Sequence, residues 1–183
     1  MKKLFLLILS ITFITQNACF ALNFKNKGDN KPMNETVQTT EKNMTEKEKY
    51  AQTIIFPIGA PNDAYAKYFI GQSYIAPIST EQVKIFNVTF EPKCRNNWHI
   101  HKAKSGGGQM LIAVGGRGYY QEWGKAPIEL KPGDVVNIPA NVKHWHGAAP
   151  DSWFSHLAVE IDGTETSNEW LEPVTDKDYG KLK

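Results

Sequence analysis

The five histidines of this 183-residue chain all lie between His99 and His156, and the sequence outside that stretch has none. Two H-x-H patterns occur there, His99-Ile100-His101 and His144-Trp145-His146. On a β-strand, side chains two residues apart leave the same face, so each pattern could bring two imidazoles to one ion. Gln109 opens the next apolar segment, directly after Gly106-Gly107-Gly108, and offers an amide oxygen. Three imidazoles and one carbonyl oxygen form a ligand set for a divalent cation that leaves coordination positions open, and manganese, iron, nickel and zinc all suit mixed nitrogen and oxygen donors. Glutamine is neutral, so the ion would keep its full charge and favour an anionic or strongly polarised oxygen ligand. That is Lewis-acid chemistry, in which a carbonyl, enolate or alkoxide oxygen is held while a nearby base moves a proton.

Such a site needs strands to carry it. Val83–Phe90, Met110–Val114, Gly118–Trp123, Val135–Ile138 and Trp153–Ile161 are rich in branched and aromatic residues, with the alternation of half-buried strands. Between them lie turn sequences: the three glycines, Gly115-Gly116, Lys131-Pro132-Gly133-Asp134 and Pro139-Ala140-Asn141. Pro132-Gly133 suits the centre of a type II turn. The fold class is therefore all-β, a small antiparallel barrel or sandwich, in residues 51–173, a length that suits one domain. Residues 174–183 form a C-terminal tail, and the chain from Glu169 onward is expected to add a short helix or to cover an edge.

These residues resemble the cupin superfamily, jelly-roll barrels that hold a metal inside. Its first motif has H-x-H, then a glutamate or glutamine, six residues and a glycine, matched by His99, His101, Gln109 and Gly116. Its second is matched by Gly133, Pro139 and His144. Lys93 and Asn141 stand where the motifs have glycine, and Ala148 stands where the second ends in asparagine. Seven residues, Lys102–Gly108, separate His101 from Gln109, more than the usual three or four. If the glycines absorb the excess, Gln109 reaches the ion; otherwise Glu122 or water takes its place. Arg95-Asn96-Asn97-Trp98-His99, Gly116-Arg117-Gly118-Tyr119 and Lys143-His144-Trp145-His146-Gly147-Ala148 are similar to single-domain cupins grouped with carboxymuconolactone decarboxylase-type proteins and to bacterial manganese hydroxynitrile lyases.

The resemblance implies metal ligation by His99, His101, Gln109 and His144, with manganese expected first and iron, zinc or nickel compatible. It also places His156 in the cavity wall, and Phe86 and Val88 at substrate-contacting positions. By strand alternation His156 and Glu160 share a face, as do His144 and His146, so His156, His146 and Glu160 are the candidates for moving protons. Trp98 either shapes the substrate pocket or packs. The leading functional expectation is a lyase or isomerase acting on a small carbonyl or hydroxy compound. A three-histidine iron oxygenase and a non-enzymatic small-molecule binder are the alternatives. Dimers are common in this fold, so a homodimer is the oligomer the resemblance suggests.

Composition bounds the rest. The chain has 21 basic and 19 acidic residues. Residues 1–21 have Lys2, Lys3, an apolar run and a small-residue cut at Ala21, or nearby at Ala18, and read as a secretory signal; lipidation at Cys19 is the alternative. Removing the signal balances the charge, so nothing supports nucleic-acid binding by a basic face. Residues 22–50 are Lys, Glu, Asn, Thr and Gln with scattered apolar positions, and read as a disordered linker. The mature protein is expected to be periplasmic or secreted, with no membrane span. Cys94 would then be unpaired in it.

Overall fold

The computed structural model describes residues 43–182, so the expected signal peptide and the expected linker up to residue 42 lie outside the described residues. The described chain starts with helix α1 (Glu46–Ala51), strand β1 (Ala60–Pro61), a 3-10 helix (Asp63–Tyr68), and strands β2 (Phe69–Ile70), β3 (Ser73–Ser79), β4 (Ile85–Phe90) and β5 (Arg95–Asn96). There follow β6 (His99–Lys102), β7 (Ser105–Gly106), β8 (Gly108–Gly116), β9 (Gly118–Glu122), β10 (Ile128–Leu130) and β11 (Val135–Pro139). The last elements are β12 (Lys143–Ala148), β13 (Phe154–Glu160), β14 (Gly163–Thr164), β15 (Ser167–Trp170) and helix α2 (Asp176–Tyr179). Neither of these helices is long and apolar enough to cross a membrane.

One sheet has the order β1-β3-β4-β13-β8-β11; the other runs β10-β9-β12-β5-β2, with β6 pairing both β12 and β15. Every pairing among them is antiparallel. The five expected strands all form, with ends shifted by one or two residues. Their alternation decides what meets inside. Val88 and Phe90 of β4, Leu111 and Ala113 of β8, and Phe154 and Ala158 of β13 pack with Tyr120, Leu130 and Ile138 in one core. Phe90, Leu111 and Phe154 are fully buried, each stabilising the fold by about 1.5–3 kcal/mol. The same inward faces continue into polar groups: Gln109 precedes Leu111 and Ala113 on β8, and His156 lies between Phe154 and Ala158 on β13. The barrel is therefore packed with carbon along part of its interior and lined with polar, potentially ligating groups along the rest.

The unusual connections fold as their residues permit. Gly133 has φ +100° and the Asp134 N–H donates to the Lys131 carbonyl at 3.0 Å, closing the expected turn. The glycine run absorbs the long connection after His101: Gly106 pairs with Gly163 of β14, and Gly106, Gly107 and Gly108 all have positive φ. A Cβ at Gly108 would sit 2.3 Å from the Ile138 carbonyl oxygen, so only glycine lets β8 start there against β11. Asn141 stands at φ 68°, which asparagine tolerates. Its amide donates to the Ala103 carbonyl at 2.9 Å and its N–H donates to the His101 carbonyl at 2.8 Å, tying the start of β12 to β6.

The N-terminal side of the described region is more structured than expected, and the C-terminal side both covers an edge and forms a short helix, as expected. The linker was expected to run to Tyr50, yet α1 begins at Glu46, because Thr45 and Glu48 form a reciprocal capping box. Tyr50 is buried, stacks on Trp153 at 5.2 Å and donates its hydroxyl to Ser155 at 3.0 Å. At the other end β15 covers β6, and the tail from Val174 closes over Arg95.

Candidate metal centre

His99 and His101 leave the same face of β6, and His144 is the register partner of His99 on β12. Antiparallel pairing thereby brings together three rings that the sequence separates, and one ligand atom from each lies within 4.8 Å of the others. Two rings are oriented by their own backbone: Nδ1 of His99 is 2.9 Å from the Asn97 carbonyl, and Nδ1 of His144 is 2.9 Å from that of Val142. A carbonyl only accepts, so Nδ1 carries the proton and Nε2 keeps its lone pair. Nε2 of His101, Nε2 of His144 and Oε1 of Gln109 are buried without any hydrogen-bond partner. Leaving such atoms unpaired costs about 1–3 kcal/mol each, and all three belong to the proposed ligand set. A cation supplies what they lack, so the residues fit a metal.

Charge state agrees. Burial holds His144 down to about 4 and His99 well below the ordinary histidine value, with the neighbouring rings lowering His99 further. Burial lowers His101 too, against Asn168, Glu160 and Gln109 beside it. Neutral imidazole is the ligating form.

A cavity of about 180 Å³ adjoins the site. Phe69, Ile75, Phe86 and Val88 give it an apolar wall, and the candidate ligands His99, His101 and Gln109 face it together with His146 and His156. His146 and His156 are buried, with Nε2 of His156 3.1 Å from Nδ1 of His146. Burial lowers both, His156 to about 4. Glu160 sits at the cavity edge, exposed, 3.7 Å from Lys84, where a polar outer chamber of about 400 Å³ opens. Trp98 lies elsewhere: in the connection between β5 and β6, it packs with Trp145, Tyr119 and Ala149 in a separate cluster and meets Trp123 edge-on at 4.9 Å. Glu122 pairs with Lys125 at 2.8 Å and lies outside the cavity. Cys94 is buried, and burial pushes its thiol up to about 12, so it has no reactive thiolate at neutral pH.

Several site residues were not singled out by sequence. Trp170 of β15 stacks on His99 at 4.8 Å and on Tyr68 at 4.5 Å, and lines the cavity with Tyr65 and Phe69. Asn96 of β5 reaches His146. Trp170 lies in no motif, and Asn96, though within the Arg95–His99 segment, has no local sign of its partner; only the fold brings each to its histidine.

A model of the cupin domain matches residues 86–159. The (R)-mandelonitrile lyase of Granulicella tundricola is 45% identical over 95 residues, spanning 51% of this chain and 68% of that protein. The chain belongs to the cupin family. A solved cupin-like protein of Thermotoga maritima is 39% identical to this cupin, with a TM-score of 0.61 over 70% of this chain and 96% of that one. The matched span of the domain model holds all four candidate ligands, the cavity wall residues Phe86 and Val88, and the His146–His156 pair of this cupin.

Proposed function

We propose that this cupin is a metal-dependent lyase that cleaves a carbon–carbon bond in a small hydroxy compound with an apolar substituent, of the α-hydroxynitrile class. The observation that carries this reading is the trio of unpartnered buried donors beside a cavity with one apolar wall. The identity to a protein named for mandelonitrile cleavage supports it. His99, His101, Gln109 and His144 would hold a divalent cation, manganese first among the compatible ions, and that ion would supply Lewis acidity toward the substrate oxygen.

This chain's own residues do the rest. Phe69, Ile75, Phe86 and Val88 receive the apolar substituent and exclude water from the bond being broken. In such a cleavage the hydroxyl gives up its proton, the carbonyl forms, and the departing cyanide takes the electron pair and then a proton; no oxidant is consumed. The His146–His156 pair holds the proton to be moved, and burial keeps His156 neutral at physiological pH. The charged and apolar residues 2–21, which resemble a secretory signal, support a periplasmic or secreted location for this activity.

The test is turnover of mandelonitrile and aliphatic cyanohydrins to aldehyde and cyanide under exclusion of oxygen, with metal analysis of the same sample. Activity that disappears with chelator and in His156→Ala, while that variant keeps its metal, supports the reading. Turnover only with oxygen uptake, or tight ligand binding without turnover, overturns it.

A further inference from the structure

The plane of a histidine ring is soft: its last side-chain torsion has broad wells, and one hydrogen bond at the ring edge leaves the plane free to tilt. His99 has such a bond, from Nδ1 to the Asn97 carbonyl at 2.9 Å. The face of its ring is covered by Trp170, at 4.8 Å between centroids and 28° between planes. β15 delivers the indole there by register, since Trp170 is the direct antiparallel partner of His99 and opposed residues leave the same face of a sheet. Tyr68, at the end of the 3-10 helix, stacks on the same indole at 4.5 Å and 6°.

These aromatic residues also sit on the chain segments that hold the Nδ1 acceptor. The Asn97 N–H donates to the Tyr68 carbonyl at 2.8 Å. Just after Trp170, the Leu171 carbonyl accepts from the Asn97 side-chain amide at 3.2 Å, and the Leu171 N–H donates to the Trp98 carbonyl at 2.8 Å. His99, Asn97, Tyr68 and Trp170 therefore form a closed loop of contacts: ring edge to carbonyl, main chain to main chain, ring to ring, and ring back to ring. Tyr68 and Trp170 both lie outside residues 86–159, the span matched by the cupin domain model, so flanking chain supplies this support to the barrel.

A metal-bound imidazole carries part of the ion's charge, and an indole face attracts positive charge, so the stack should be stronger in loaded protein than in empty protein. We propose that Trp170, braced by Tyr68, is a positioning residue that sets the ring plane of His99 for a divalent cation, which makes β15 part of the metal centre. The proposal rests on His99 being a ligand, as the proposed function holds, and not on the reaction catalysed.

The experiment measures zinc affinity by competition with a chromogenic chelator, and the visible absorption of the cobalt-loaded protein, in parent and variants. Trp170→Leu should bind zinc about tenfold more weakly or worse, the scale on which groups that orient a ligand act, and its cobalt bands should shift. Trp170→Phe keeps a stacking ring and should restore most of the affinity and the parent's bands. Tyr68→Leu should move both readouts in the same direction as Trp170→Leu, by less, and carries the test with Trp170→Phe if Trp170→Leu does not fold. Trp153→Leu is the control for lost packing alone, because Trp153 packs with Tyr50 and Tyr74 away from the cavity; it should lower stability and leave zinc affinity unchanged. Parent affinity and parent bands in Trp170→Leu or in Tyr68→Leu overturn the proposal. So does a Trp170→Phe variant as weak as Trp170→Leu, or an equal loss of affinity in Trp153→Leu. His99→Ala separates the two levels: parent affinity in that variant overturns the ligand reading and this proposal with it, whereas lost affinity there beside an unchanged Trp170→Leu overturns the proposal alone.

Discussion

Replacing Gln109 with leucine should change stability in opposite directions with and without metal. Gln109 is 8% exposed and its Oε1 has no hydrogen-bond partner, so in metal-free protein this oxygen is a standing cost of about 1–3 kcal/mol. Leucine removes the orphan and keeps most of the side-chain volume on β8. After allowance for imperfect packing, chelated Gln109→Leu should be more stable than the parent by about 1 kcal/mol. With metal in excess the balance reverses, because one of the four proposed ligands is gone. Each tenfold loss of affinity removes about 1.4 kcal/mol of metal-linked stabilisation. The assay is urea unfolding of parent and variant, each in chelator and in saturating manganese, read as the difference of differences. A variant destabilised equally in both conditions would show that Gln109 only packs. A variant with the parent's full metal-dependent gain would remove the amide oxygen from the ligand set.

Two further outcomes are expected. The pKa of His156 is depressed to about 4 in the fold from an ordinary 6.5, so its contribution is present above pH 6.5 and is lost as pH falls toward 4. This amounts to about 3 kcal/mol at most, and the pH slope of unfolding free energy across that window in chelated protein should be shallower in His156→Gln; equal slopes would contradict it. Arg95 is 3% exposed and donates to the Val174 carbonyl at 3.0 Å and to Asp176, a residue at the surface. Ending the chain after Pro173 uncovers that guanidinium and removes the buried Val174 and Tyr179 side chains, and should cost about 3–6 kcal/mol through lost burial, whereas Asp176→Asn should cost at most about 1 kcal/mol; thermal melts of the two would separate these effects, and equal losses would refute the reasoning.

The strands of the barrel could be read from sequence because each buries one face, and alternation records that face directly: β4, β8 and β13 appear within one or two residues of the expected ends. The same rule, with glycines able to take positive φ, carried Gln109 across a long connection to the inward face. Elements too short to show a period leave no such record. The single turn at Glu46–Ala51 is held by one capping box and one aromatic stack, and β15 joins β6 through backbone hydrogen bonds that leave little trace in side-chain type.

The ligand types, their same-face spacing and the barrel class were thus fixed by local chemistry, because a strand's two faces are set by its own backbone. Which residues surround those ligands was decided only by tertiary structure. Trp98 sits one residue from His99 yet packs away from the cavity, while Trp170, distant in the chain, stacks on that histidine. Asn96 reaches His146 across the pairing of β5 with β12. Contacts between strands depend on sheet order and register, and those are set by how every strand packs against the others.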